Sequence, residues 1–96
     1  MKVQILDEAK DDLFDGFRFY ERQSIGLGDY FLETLFSEID TLRSNAGIHS
    51  KHLGYHRFLS RRFPYAVYYR VEDEVARVRA VLDCRRNPAW IRKRLK

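Results

Sequence analysis

Two alternating runs near the C-terminus, Pro64 to Val71 and Val75 to Cys84, constrain this chain more than any other feature. Each reads as a strand, because successive side chains of a strand point to opposite faces. The acidic triplet Glu72-Asp73-Glu74 between them marks a hairpin turn. A slip of one residue would send every side chain to the other face, so the apolar sets set the register. Tyr65, Val67, Tyr69 and Val71 share one face of the first run; Ala76, Val78, Ala80, Leu82 and Cys84 share one face of the second. Superposing them pairs Val71 with Ala76, Tyr69 with Val78, Val67 with Ala80 and Tyr65 with Leu82. The loop is then Asp73-Glu74, or four residues if the flanking pair frays. A three-residue loop would drive Arg77 and Arg79 into the core, where unpaired guanidiniums are too costly.

The opposite face then carries Arg70 across from Arg77 and Tyr68 across from Arg79. Like charges directly opposed destabilise a ladder by up to about 1 kcal/mol. A small domain has little stability to spare, so this face reads as an open binding surface whose partner supplies negative charge. The alternative is neutralisation within the chain by Glu72, Asp83 or the C-terminal segment. Cys84 falls on the core face and reads as a small buried hydrophobe.

Upstream, Lys2 to Leu6 alternates as a short strand, and Asp7 reads as an N-cap with Glu8, Asp11 and Asp12 near the positive end of a helix dipole. Ala9, Leu13, Phe14, Phe17 and Tyr20 form a stripe at helical spacing. Gly26 and Gly28 mark a turn, after which Phe31, Leu32, Leu35, Phe36, Ile39 and Leu42 line a second helix ending near Gly47. So short a break predicts an antiparallel helix hairpin. Tyr55 to Ser60 reads as a further strand. A last helix starts at Asn87-Pro88, where proline suits the first helical position. The order β-α-α-β-β-β-α predicts an α+β fold, a single domain over 1–96, with the hairpin packed on one face of a small antiparallel sheet. The order leaves the place of the first strand open.

Charge is unevenly spread. Residues 1–48 hold ten Asp/Glu and five Lys/Arg, a net charge of −5; residues 49–96 hold four and thirteen, a net charge of +9. This suggests an acidic or nucleic-acid partner for the second half, or a solvated basic surface. No apolar run approaches the ~20 residues of a membrane helix, and the N-terminus lacks the apolar stretch of a signal peptide. With one cysteine, a reducing cytoplasm is the expected setting.

The stretches Arg62-Phe63-Pro64-Tyr65-Ala66-Val67-Tyr68-Tyr69-Arg70-Val71 and Ala80-Val81-Leu82-Asp83-Cys84-Arg85-Arg86-Asn87-Pro88-Ala89-Trp90 resemble toxins of the RelE/ParE superfamily. The resemblance covers nearly the whole chain. It implies the toxin of a type II toxin–antitoxin pair, neutralised by a cognate antitoxin that wraps it with a C-terminal, acidic segment and also binds operator DNA. It offers two targets: messenger RNA on the ribosome for the RelE branch, DNA gyrase for the ParE branch. RelE-like ribonucleases carry an arginine just after the tyrosine that begins the third strand, and a tyrosine or histidine in the C-terminal segment. Here those places hold Ala66 and Trp90-Ile91, which favours the ParE side. The expected target- or antitoxin-binding residues are Arg57, Arg61, Tyr68, Arg70, Arg77, Arg79, Arg85, Arg86 and Trp90. A ribonuclease would instead use Arg77, Arg79, Arg85 and His56. A nontoxic relic that binds only antitoxin or operator is the third alternative. No cofactor is expected. His52 and His56 have metal-binding spacing only on a helix, and here the segment reads as a loop entering a strand.

Overall fold

The computed structural model describes all 96 residues. Strand β1 (Lys2–Ile5) leads directly into helix α1 (Asp7–Gln23), followed by α2 (Leu27–Asp40) and a single turn, α3 (Leu42–Asn45). Strands β2 (Lys51–His52), β3 (Tyr55–Leu59), β4 (Tyr65–Glu72) and β5 (Val75–Asp83) follow, then α4 (Pro88–Arg94). The expected α+β order stands, with α3 and β2 added.

The sheet runs β1-β5-β4-β3-β2. It is mixed rather than wholly antiparallel, because β1 pairs with β5 in parallel. Leu6 N–H extends that pairing to the Val78 carbonyl at 3.0 Å. The chain therefore passes from strand to helix without a side-chain cap, and Asp7 is the first helical residue rather than the N-cap.

The α1–α2 hairpin covers one face. Its helices interlock through glycines: a Cβ on Gly16 would lie 2.5 Å from the Phe31 ring, and one on Gly28 2.6 Å from the Phe17 ring. Ala9, Leu13, Phe31, Leu35 and Ile39 meet Val67, Tyr69, Ala76 and Val78 in the main core. Aromatic rings close one end, with Phe31 and Tyr65 centroids 4.9 Å apart.

The β4–β5 hairpin turns at Asp73-Glu74, both left-handed (φ 52° and 62°). Val71 pairs with Ala76 and Tyr69 with Val78, as the pattern predicts. Beyond that the register departs from expectation. Arg79 is an extra residue, a β-bulge, so Tyr68 faces Ala80, Val67 faces Val81 and Tyr65 faces Asp83. A bulge moves all later residues to the opposite face. Val81 therefore joins the main core, while Ala80 and Leu82 turn away.

The second face is not open as expected. Ala80, Leu82, Tyr55, Ala66 and Tyr68 form a smaller core there, which α4 closes with Leu95 and Ile91. Asn87 caps α4 by accepting the Ala89 N–H at 2.8 Å, with Pro88 next. Cys84, past the end of β5, is exposed rather than buried. The bulge removes it from the core-facing series.

Candidate functional site

The arginines expected on one open face fall into two groups. Toward β1 and α1 they are paired within the chain. Arg79 Nη1 lies 3.0 Å from Glu8 Oε2, and its Nη2 donates to the Arg94 carbonyl at 3.2 Å. Arg77 donates to Gln4 and lies 3.6 Å from Glu72. Its cross-strand partner is Arg70, as expected, yet the two charges are handled separately. Arg94, on α4, reaches both Glu8 and Asp12. The guanidiniums of Arg79 and Arg94 hold the Glu8 carboxyl below its usual range. Much of the like-charge cost at Arg77 and Arg79 is thus met internally.

Toward β3 and the ends of the sheet the picture differs. Arg57, opposite Tyr68 on the second face, has no side-chain partner in the chain. Arg70 lies 4.1 Å over the Tyr55 ring and donates to the Gly54 carbonyl at 3.3 Å. Arg86 lies 4.2 Å over Trp90, which is 37% exposed. Arg61 is exposed, and its backbone N–H donates to Glu38. Arg85 is bound at both ends of its fork by Asp83, at 3.0 and 2.7 Å. That pairing holds Asp83 below the usual carboxylate range.

Tyr68 is a correction. It is 3% exposed beneath α4 and serves the smaller core, not a contact surface.

The ribonuclease set does not converge. His56 lies on the helix side of β3, its ring stacked on Tyr69 at 5.1 Å and its Nδ1 donating to the His49 carbonyl at 2.7 Å. Arg77 and Arg79 are engaged toward β1, and Arg85 folds onto Asp83. His52 pairs with Tyr55 across the β2–β3 ladder, so it points to the face opposite His56.

Several structural residues escaped the sequence reading: Glu8, Asp12 and Arg94 in one network, and His49 with Tyr69 in another. A signal existed for the first. Glu8 and Asp12 are four apart on α1 and so share a face. Nothing local pointed to Arg94 as their partner.

A helix hairpin on a five-stranded sheet, with a basic helix closing the other face, defines the class: a ParE-like toxin of the RelE/ParE superfamily. More narrowly, residues 3–88 match the family described as ParE toxin of type II toxin–antitoxin system, parDE, and the chain belongs to it. Among solved structures it is similar to one titled "Chromosomal ParDE TA system from P. aeruginosa", with TM-score 0.71 and 18% identity, over 84% of this chain and 92% of that one. No curated protein matches. No helix is long and apolar enough to cross a membrane.

Proposed function

We propose that this chain arrests growth by docking on DNA gyrase, and that a cognate antitoxin neutralises it with an acidic C-terminal segment. The observation that carries the docking reading is the content of the second face. Where an RNA-cleaving relative needs an arginine and a C-terminal acid or base, this chain packs Ala66 beneath Leu95 and Ile91. Metal-independent RNA cleavage needs a group to take the 2′-hydroxyl proton and another to protonate the leaving oxygen. The imidazole nearest in sequence, His56, sits on the opposite face and is already engaged. What surrounds the packed face is cationic: Arg57, Arg70 and Arg86.

The antitoxin reading rests on family membership and on charge. A segment rich in Asp/Glu is attracted to a half-chain of net charge +9. The operator would be reached through the antitoxin and not through this chain directly.

Two assays made together test the proposal. Purified toxin is added to gyrase, relaxed plasmid and ATP, and messages are followed in cells expressing the toxin alone. Loss of supercoiling with intact messages is expected. Codon-linked cleavage of translated messages with normal supercoiling would overturn it in favour of the ribonuclease. Normal growth with both intact would mean a relic.

A further inference from the structure

Strand β2 is too short to cover the outer edge of β3. It pairs there only with Tyr55 and His56. One bond continues the pairing, from the Arg57 N–H to the Ser50 carbonyl at 2.9 Å. Backbone groups along an antiparallel strand alternate in direction. The Arg57 N–H points outward, and the Ser60 N–H points inward to the Tyr65 carbonyl. The N–H and carbonyl of Leu59 therefore point away from β4, past the last residues that β2 reaches.

Two residues on, the Arg61 N–H is met by Glu38 Oε2 of α2 at 2.9 Å. That carboxylate stands where a neighbouring strand would. Its other oxygen, Glu38 Oε1, is buried and has no hydrogen-bond partner, although buried acceptors are seldom left without one. Between α2 and the β3 edge lies an open cleft of about 930 Å³, whose lining includes Glu38, Asn45, Ile48, Arg57, Leu59 and Arg61.

These groups select the occupant. Leu59 calls for a backbone donor and a backbone acceptor, and Glu38 Oε1 for a donor. Arg57 and Arg61 form no ion pair with a carboxylate and call for negative charge. Ile48 and Leu59 are 73% and 55% exposed and call for apolar side chains. A phosphodiester backbone presents acceptors but no donors. A helix uses its backbone groups internally. An extended peptide in which carboxylates alternate with apolar side chains meets all four demands. Added strands bind this way, with main-chain hydrogen bonds for affinity and alternate side chains for specificity. The opposite edge of the sheet, β1, runs beside Glu33, Asp40 and Asp7, which repel such a peptide.

We infer that the edge of β3 from Arg57 to Arg61 receives an extended acidic peptide as an added strand, bonded to the Leu59 backbone and flanked by the two arginines, and that this peptide is the acidic segment of the antitoxin; the second half of this statement rests on the antitoxin reading above.

The test uses the whole toxin and an end-blocked, fluorescein-labelled octapeptide of alternating Glu and Val, followed by anisotropy. Binding should weaken as salt rises, and the Leu59 amide should exchange more slowly with solvent when the peptide is bound. The same peptide with Gln for Glu should bind about tenfold more weakly. N-methylation of alternate amides blocks one edge of the peptide, and one of the two methylated isomers should lose about tenfold. Leu59→Pro removes the outward N–H and leaves the bonds to β4, since proline is tolerated where a strand's N–H faces solvent. It should also cost about tenfold. Arg57→Ala with Arg61→Ala should cost at least about tenfold at low salt. Circular dichroism on each variant checks that the fold survives, and the methylated peptides need no variant.

Binding unchanged by Leu59→Pro and by both methylated isomers would overturn strand addition. Antitoxin with and without its acidic segment is then titrated against wild-type toxin and Leu59→Pro. Equal affinity with and without the segment would remove the antitoxin reading and leave the edge site standing on the peptide data. Affinity that needs the segment but is the same for Leu59→Pro would keep the antitoxin reading and overturn its seat on β3.

Discussion

Arg94 on α4 donates through Nη2 to Asp12 Oδ2 on α1 at 2.6 Å, and the same oxygen accepts the Val81 N–H of β5 at 3.0 Å. One carboxylate thus ties three elements together. β1 pairs with β5 only as far as Val78, so Val81 N–H has no strand beside it. Asp12 takes the place of that strand. Burial nonetheless pushes the Asp12 carboxyl above its usual range, against the pull of Val81 and Arg94.

Substitution at Asp12 should separate its two roles. Asp12→Asn keeps an acceptor for Val81 and removes only the charge, so about 1 kcal/mol is expected to be lost. Asp12→Ala strands both the Val81 amide and the part-buried Arg94, and about 3 kcal/mol is expected. Urea unfolding measures both. A result with Asn as costly as Ala would mean that the ion pair, not the amide bond, holds the junction.

The glycine interlock of α1 and α2 predicts intolerance to a single methyl. Neither Gly16 nor Gly28 needs a positive φ, so alanine is favoured by helix propensity by about 1 kcal/mol. The Cβ would instead meet a ring at 2.5–2.6 Å, and overpacking costs about 1–3 kcal/mol. Gly28→Ala has the worse prospect, because its Cβ would also lie 2.7 Å from the Phe17 backbone carbonyl oxygen, which cannot move aside without shifting the helix. A net loss of about 1–2 kcal/mol is expected, or a melting point lower by roughly 5–15 °C for a domain this small. Thermal unfolding by circular dichroism decides it; an unchanged melting point would show that the helices slide apart freely.

A pH dependence follows from His49. The Tyr69 hydroxyl accepts the Gly47 N–H at 3.0 Å and lies 2.5 Å from His49 Nδ1. Partial burial, then the charge of His56, hold the His49 imidazole below its ordinary value. The folded state therefore binds this proton less readily than the unfolded chain. Its contribution is fully present above about pH 6.5 and declines as pH falls through that value toward the lower folded one. Melting temperatures measured from pH 7.5 to 5 should fall. His49→Gln should flatten that fall, and an identical profile would assign it to other groups.

Exposure makes Cys84 a reporter on the folded protein. It should react fully with a disulfide reagent without denaturant. Surrounding burial pushes its thiol above the usual range, so at pH 8 the rate should be a few-fold slower than that of free cysteine. Complete protection until urea is added would place the side chain in the core after all.

Much of this architecture was legible in the residues themselves. Period-two alternation and a run of turn residues are local properties, and they sufficed for the β4–β5 hairpin, its Asp73-Glu74 turn and the Val71–Ala76 end of its register. The helix hairpin was equally legible from the spacing of Leu13, Tyr20, Phe31, Leu35 and Ile39. The basic ending with Asn87-Pro88 located α4, and the joint pattern named the superfamily.

Three features depended on tertiary structure. Alternation is blind to one skipped residue, so it could not show the bulge at Arg79. At that bulge the guanidinium is met by Glu8 and the Arg94 carbonyl, both distant in sequence. The parallel seating of β1 beside β5 joins residues more than seventy positions apart, as Lys2 pairs with Val75. The closure of the second face by Leu95 buries Tyr68 and divides the arginines into a paired group and a free one. Each of these is a choice among long-range partners. Local propensity cannot make that choice, because the energy that makes it exists only when the distant groups meet.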